Sequence, residues 1–280
     1  MGNNKDSLGD RMKEFYENRS RYYLTRRMPV AIRIDGKAFH SFTRGMKKPF
    51  DEILVKSMQE TMKYLCANIQ GCVLGYTQSD EITLVLTDYA TIMTDAWFDN
   101  NLQKMCSVAA SMATMSFNKT FATLVEERIR DLNMPLNSDS EEAKYLDKMR
   151  SKTFNAMFDA RVFTIPQEEV ANMLIWRQQD AVRNSIQSVG QAYFSHKELD
   201  HKTCNDIQDM LMLQKHVNWN DYPTTLKQGS CCVRKSVLCD EPALLDPNFE
   251  VRVPTYRNQW VIDNEIPVFT QDRDYIERLI

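Results

Sequence analysis

Two aspartates far apart in the chain stand where chemistry is possible. Asp35 closes the run PVAIRIDG (29–36), and Asp80 follows Thr77-Gln78-Ser79 between two short apolar runs, CVLGY (72–76) and EITLVLT (81–87). Each alone has an ordinary explanation, since Asp-Gly is a turn signal and Ser-Asp-Glu suits a hairpin corner. Side by side they would repel, and one would keep a proton unless a cation lay between them. Magnesium suits such a place, because it takes oxygen ligands and usually keeps one or two protein carboxylates plus substrate phosphates. Two such ions about 3.5–4 Å apart activate an attacking hydroxyl and stabilise a leaving phosphate. Gly36 would offer its carbonyl as a further ligand and let the backbone approach closely. Lys37, Ala38, Phe39 and His40 form a turn whose amides would face a triphosphate, with Arg33 and Lys48 adding positive charge. The residue types point to a magnesium-dependent nucleotidyl site.

The elements that must position these residues follow from patterning. PVAIRIDG is β-rich and ends on a turn dipeptide, which predicts a buried strand. From Asp51, a suitable N-cap, Leu54, Met58, Met62, Leu65 and Ile69 step by three or four, which predicts a helix ended by Gly71. The two apolar runs that follow predict a β-hairpin, with Gly75 marking a bulge or a close ligand approach. A second helix is predicted over 99–122 and another strand over 160–166, after a polar stretch at 126–152. The order β-α-β-β-α-β is the ferredoxin-like pattern, an α+β fold with an antiparallel sheet and helices on one face. In that topology the first and third strands are antiparallel neighbours, so Asp35 and Asp80 meet at one sheet edge. Residues 168–216 read as helical and the last sixty as mixed.

Composition excludes several other classes. A hydrophobic fraction of 43% and a charged fraction of 26% describe an ordinary globular protein, and no apolar run approaches the roughly 20 residues of a membrane span. The polar opening predicts neither a signal peptide nor a myristoylation site, so a cytoplasmic protein with no membrane partner is expected. The seven cysteines show no Cys-x-x-Cys spacing, and Cys66 and Cys106 fall on apolar helix stripes as small hydrophobes. His196 and His201, in HKELDH, lack zinc-helix spacing. The net charge of −3 hides an asymmetry: residues 1–48 carry +7 and the remainder −10. A basic stretch that includes Arg26 and Arg27 suits phosphates, or is simply a solvated arm.

Arg33-Ile34-Asp35-Gly36-Lys37-Ala38-Phe39-His40-Ser41-Phe42, Lys48-Pro49-Phe50-Asp51 and Ser79-Asp80-Glu81 together resemble the histidine-tRNA guanylyltransferase family, which includes 3′–5′ RNA polymerases. Phe158-Asp159-Ala160-Arg161, Trp176 to Asp180, Asn184, Lys202 to Asp206 and Lys227 to Ser230 resemble further family segments in the same order. The resemblance implies a polymerase palm-like domain at 29–166 with a mobile insertion at about 126–152. A basic arm (1–28) precedes it, and a helical and mixed part (167–280) packs on it. It implies a nucleotidyltransferase acting on tRNA with two magnesium ions and with ATP, GTP or other nucleoside triphosphates as substrates. By the same resemblance a 5′-monophosphate is first activated with ATP, or a 5′-triphosphate is used directly, and the 3′-hydroxyl of an incoming nucleotide then attacks the activated 5′ phosphate. By motif, Asp35 and Asp80 are catalytic; with the Gly36 carbonyl they hold the metal. Asp35 to His40, Lys48, Ser79 and Asp80 hold the nucleotide. Arg26, Arg27, Arg161, Arg177 and Lys202 are candidates for the RNA or a second triphosphate, and the family's tetramers make a homotetramer the expected assembly.

One segment departs from the family. Members that read the histidine anticodon carry His-Ile-Asn-Asn where this chain has Val182-Arg183-Asn184-Ser185, which favours the template-copying branch that repairs 5′-truncated tRNA. The alternative is addition of a single G to histidine tRNA. A palm-type nucleotidyl cyclase fits the two aspartates alone, but its Gly-Gly-(Asp/Glu)-Glu-Phe hairpin is replaced here by Gln-Ser-Asp-Glu. A non-catalytic RNA-binding module is disfavoured because both carboxylates are present.

Overall fold

The computed structural model describes residues 7–132, 135–136, 138–246 and 249–280, the side chains of 239–255 excepted. The first half runs α1 (Ser7–Phe15), β1 (Val30–Gly36), α2 (Phe39–Phe42), α3 (Glu52–Asn68), β2 (Cys72–Gln78), β3 (Glu81–Leu86), α4 (Leu102–Arg130), α5 (Glu141–Arg150) and β4 (Phe158–Thr164). The second half runs α6 (Gln167–Tyr193), α7 (His196–Leu199), α8 (Cys204–Met210), α9 (Thr224–Gln228), β5 (Ser230–Asp246), β6 (Phe249–Asp263) and α10 (Asp274–Glu277). The strands form one antiparallel sheet in the order β4-β1-β3-β2-β5-β6.

Side-chain alternation sorts β1 between two cores. Ile32 and Ile34 are fully buried on one face, with Ile82 and Leu84 of β3, beneath Met58, Met62 and Leu65 of α3 and Phe117 and Phe121 of α4. Ala31 points the other way, with Leu74, Tyr76 and Val85, toward Val170 and Leu174 of α6 and Phe269 and Tyr275 near the C-terminus. The sheet is therefore covered on both faces rather than on one. The sequence of β3 carries the sign of this: all six of its residues are buried, as expected of a near-continuous apolar strand with two cores. A third apolar cluster joins Ile186 and Val189 of α6 to Ile207 and Leu211.

Helix termini follow their caps. The Asp51 carboxylate accepts from the Leu54 amide at 3.1 Å and from the Tyr145 hydroxyl at 2.7 Å, tying α3 to α5. Asn101 caps α4 through the Lys104 amide at 3.0 Å. α4 runs well past residue 122, because Phe121 and Val125 continue its buried stripe. The stretch expected as a mobile insertion at 126–152 holds the end of α4 and all of α5, whose Ala143, Leu146 and Met149 are fully buried. Their spacing of three makes an apolar stripe that the surrounding charges obscure in the sequence.

Gly75 marks a close approach within the core rather than at a ligand: a Cβ there would stand 2.5 Å from Cys66 Sγ of α3. The register of β2 shifts between Cys72 and Leu74. The segment read as mixed is a long hairpin, of which only Ser230, Cys231 and Cys232 pair with β2 while β5 and β6 pair on to Asp246 and Phe249. No helix among the described residues is long and apolar enough to cross a membrane.

Candidate active site at the ends of the central strands

Register brings the carboxylates together. Asp35 lies opposite Glu81 on β3 and opposite Asp159 on β4, and the Gly36 amide donates to the Asp80 carbonyl at 3.1 Å. Directly opposed residues share a face of a sheet, so Asp159, Asp35 and Glu81 form a row across three strands beside the Ser79-Asp80 turn. The next row along the same face is Arg161, Arg33 and Thr83.

The electrostatics of the row are set by burial. Burial pushes the Asp80 carboxyl above its ordinary range and the Asp35 charge adds to this, against the Ser79 hydroxyl, which hydrogen-bonds to it at 3.0 Å. Ser79 has a φ of 49°, the left-handed conformation that lets the turn close in two residues. Burial also raises Glu81, against the pull of Arg177 and Arg33. Arg177 Nη1 donates to Glu81 at 3.0 Å, its other nitrogen pairs with Asp180, and Arg33 Nε stands 3.6 Å from Glu81. The Arg177 guanidinium also lies over the Trp176 ring, 3.4 Å from its centre.

The loop after β1 is anchored from below. Phe39 is buried against Phe42, Phe117 and Phe158, so this member of the expected nucleotide-binding turn points into the core. A Cβ on Gly36 would meet its ring at 2.3 Å; glycine is needed here for space. Lys37, Ala38 and His40 are exposed. The Lys37 amide donates to the Met157 carbonyl at 2.9 Å, so it does not face outward as the sequence of the turn suggests.

Lys48 is exposed on the loop before α3. The residues just after it open a cleft of about 140 Å³ that reaches Ser79. Phe50, Met58 and Leu226 give this cleft an apolar wall, and Thr77, Gln78, Asn184, Ser188 and Thr225 a polar one. Gln59 Nε2 donates there to Thr225 Oγ1 at 3.0 Å and to Ser230 Oγ at 2.8 Å. Ser185, which stands where the family segment has its second Asn, accepts from the Trp219 indole at 3.1 Å.

The basic candidates disperse. Arg26 is engaged with Asp88 at 2.8 Å, Asp99 at 2.9 Å and the Thr94 carbonyl at 3.2 Å. The Arg27 amide donates to Asp88 at 2.8 Å. Both precede β1, at the opposite end of that strand from Asp35. Arg177 is buried in its carboxylate network, and Lys202 is exposed between α7 and α8 beside the third apolar cluster. Only Arg161, whose nearest carboxylate oxygen is that of Asp159 at 3.7 Å, belongs to the row next to Asp35. Sequence reasoning misses Asp159 as a site residue; the strand order, which places β4 beside β1, is the signal that finds it.

The sequence pattern of the tRNA(His) guanylyltransferase family matches residues 9–166. An uncharacterized protein of Acanthamoeba polyphaga mimivirus is 27% identical over 245 residues, covering 84% of this chain and 80% of that protein. The tRNA(His) guanylyltransferase of Saccharomyces cerevisiae is 26% identical over 220 residues, 74% of this chain and 82% of its own. A solved bacterial tRNA(His) guanylyltransferase-like protein in complex with ATP superposes with a TM-score of 0.77 at 43% identity, over 98% of this chain and 99% of that one. The yeast enzyme's crystal structure gives 0.56 at 22% identity, over 78% and 92%, a likeness of fold. With the family's pattern spanning more than half of the sequence, the chain belongs to the tRNA(His) guanylyltransferase family of nucleotidyltransferases.

Proposed function

We propose that the chain adds nucleotides in the 3′–5′ direction to the 5′ end of tRNA, copying the opposite strand, after activating that end with ATP. The observation that carries the site is the pairing of Asp35 with Glu81 and of the Gly36 amide with the Asp80 carbonyl, which sets both aspartates at the ends of β1 and β3. The β-α-β-β-α-β order with strands 4-1-3-2 supports a ferredoxin-like, palm-like core at 29–166. The ATP complex of the bacterial relative supports nucleotide binding in the same architecture.

The donor set fits magnesium. Asp35 and Asp80 offer carboxylates and Gly36 a carbonyl, all oxygen, and a divalent cation would relieve the burial and repulsion that lift Asp80. When bound, magnesium lowers the barrier to hydroxyl attack and stabilises the leaving phosphate. The chain's own residues do the rest. Lys48 supplies a point charge for the triphosphate, Ser79 holds the Asp80 carboxyl in place, and the cleft beside it takes the nucleoside. In the first step the RNA 5′-phosphate oxygen attacks the α-phosphorus of ATP and pyrophosphate leaves. In the second the 3′-hydroxyl of an incoming nucleotide attacks the activated 5′ phosphorus, loses its proton, and AMP leaves.

Template copying is favoured over anticodon reading by Val182, whose side chain packs against the third apolar cluster and offers no hydrogen bond to a base. A pocket that reads a base gains its discrimination from buried bonds worth on the order of 1–3 kcal/mol each when left unmade. The test uses four truncated tRNAs that differ only at the templating base, each offered all four nucleoside triphosphates. The added nucleotide should follow that base whatever the anticodon. Addition of G to every one, or activity confined to the histidine anticodon, would establish single-G addition instead.

A further inference from the structure

Beside the carboxylate edge, where α2 meets the end of α5, the surface collects cations that no described carboxylate answers. Arg44 and Lys148 are exposed and form no ion pair among the described residues. Lys148 crosses the turn at Gly45, where an added Cβ would stand 2.1 Å from its ammonium nitrogen. Lys152 donates to the Phe42 carbonyl at 2.6 Å. Burial, with the Lys148 and Arg44 charges beside it, pulls the Lys152 ammonium below its ordinary value. Neighbouring cations are matched: Arg150 reaches Glu126 at 3.1 Å and Lys47 reaches Glu142 at 2.7 Å. Three converging like charges left unmatched are unfavourable for the chain alone and suit an anionic partner.

The chain and one backbone hydrogen bond link the patch to the site. Phe154, 72% exposed at a φ of 63°, follows α5, and Met157 beside it is also exposed. The Met157 carbonyl accepts from the Lys37 amide, one residue from Gly36. An open aromatic ring next to cations is what single-stranded nucleic acid uses, with phosphates on the charges and a base stacked on the ring regardless of its identity. A nucleoside triphosphate alone would leave that ring unused.

We propose that Arg44, Lys148, Lys152 and Phe154 form the track that holds the RNA strand as it reaches the Asp35–Asp80 edge. This rests on the reading of the protein as an RNA nucleotidyltransferase. The experiment measures binding of 5′-monophosphorylated tRNA to the full chain across a salt series, with magnesium-ATP affinity and tRNA extension measured separately. Arg44→Ala with Lys148→Ala should lower the slope of log affinity against log salt by about 0.7 for each single-strand phosphate that is no longer neutralised. Phe154→Ala should weaken binding roughly 5- to 150-fold at fixed salt with the slope unchanged. ATP affinity should stay that of the unmodified protein in all variants. An unchanged slope in the double variant overturns the track, and so does a matching loss of ATP affinity, which would make the patch a triphosphate pocket. If unmodified protein binds tRNA with the expected slope but extends none, the polymerase reading fails while the track stands.

Discussion

Arg177 is a candidate RNA contact by its residue type, and the structure gives it a different task that can be measured. Its side chain is 6% exposed, that of its partner Glu81 is 9% exposed, and the pair is 3.0 Å apart. Asp180 shares the guanidinium, and Arg33 Nε is the only other cationic atom within 4 Å of Glu81 among the described residues, at 3.6 Å. Arg177→Ala leaves Glu81 at the sheet–α6 contact without its main cation, while Asp180 keeps its ion pair with Arg183. Breaking a buried pair from one side costs about 3–5 kcal/mol. For a chain of this size, at roughly 2–4 °C per kcal/mol, the midpoint of thermal unfolding should fall by about 6–20 °C. The loss should depend on pH with a definite sign. Without Arg177 the Glu81 carboxyl, already raised by burial, rises further; the penalty falls on its ionised form. The deficit is therefore full above the folded-state value and shrinks as pH falls through it and Glu81 takes up a proton. A neutral set, Arg177→Met with Glu81→Gln and Asp180→Asn, should recover part of the loss, because the buried carboxylate goes with its cation and only Arg33 and the exposed Arg183 are left without theirs. Scanning calorimetry or circular dichroism melts over a pH series decide it. An Arg177→Ala protein that melts like the parent but has lost tRNA or ATP affinity would refute the argument and restore Arg177 as a phosphate contact.

Asp35→Ala and Asp80→Ala should each abolish magnesium-dependent nucleotide transfer while the fold survives, since each removes a ligand and neither fills the core. Near-normal turnover in either would put the metal elsewhere. Gly36→Ala drives a methyl into the Phe39 ring, which three other aromatic rings hold in place, so stability should fall by about 1–3 kcal/mol. Adding Phe39→Leu should return part of it. A Gly36→Ala protein with an unchanged melting midpoint would show that the ring can swing aside.

The legible part of the site is the part written in local period and order. Alternation in PVAIRIDG places Asp35 at a strand end, and the β-α-β-β-α-β succession places Asp80 beside it, as the register of β1 with β3 bears out. Burial of charge is not legible. Nothing in Trp176-Arg177-Gln178 distinguishes an arginine locked under α6 from one facing solvent, because the partner Glu81 is remote in sequence. Arg26 misleads for the same reason, its partners Asp88 and Asp99 lying well downstream. The β5–β6 hairpin escapes because Pro242 and Pro254 argue against central strands. Most of this ribbon lies beyond the sheet, where a missing amide breaks no ladder to a third strand. α5 escapes because an apolar residue every third position, set among six charged ones, reads as a polar loop.

The position of the carboxylates, at the end of β1 and in the turn before β3, divides the centre into a part that stays shut and a part that breathes. Amides such as those of Ile32, Ile34, Ile82 and Leu84 lie between two cores and should exchange only on global unfolding. Lys37, Ala38, Lys48 and Ser79 sit on exposed loops and His40 on the single turn of α2, where opening is local and needs little free energy. Loading a nucleotide should therefore slow deuterium uptake in those loops and leave the strand amides at their original rates. Activity should fail on heating before the sheet does, because the loops lose their ordered population first while Asp35 and Asp80 are still held in register.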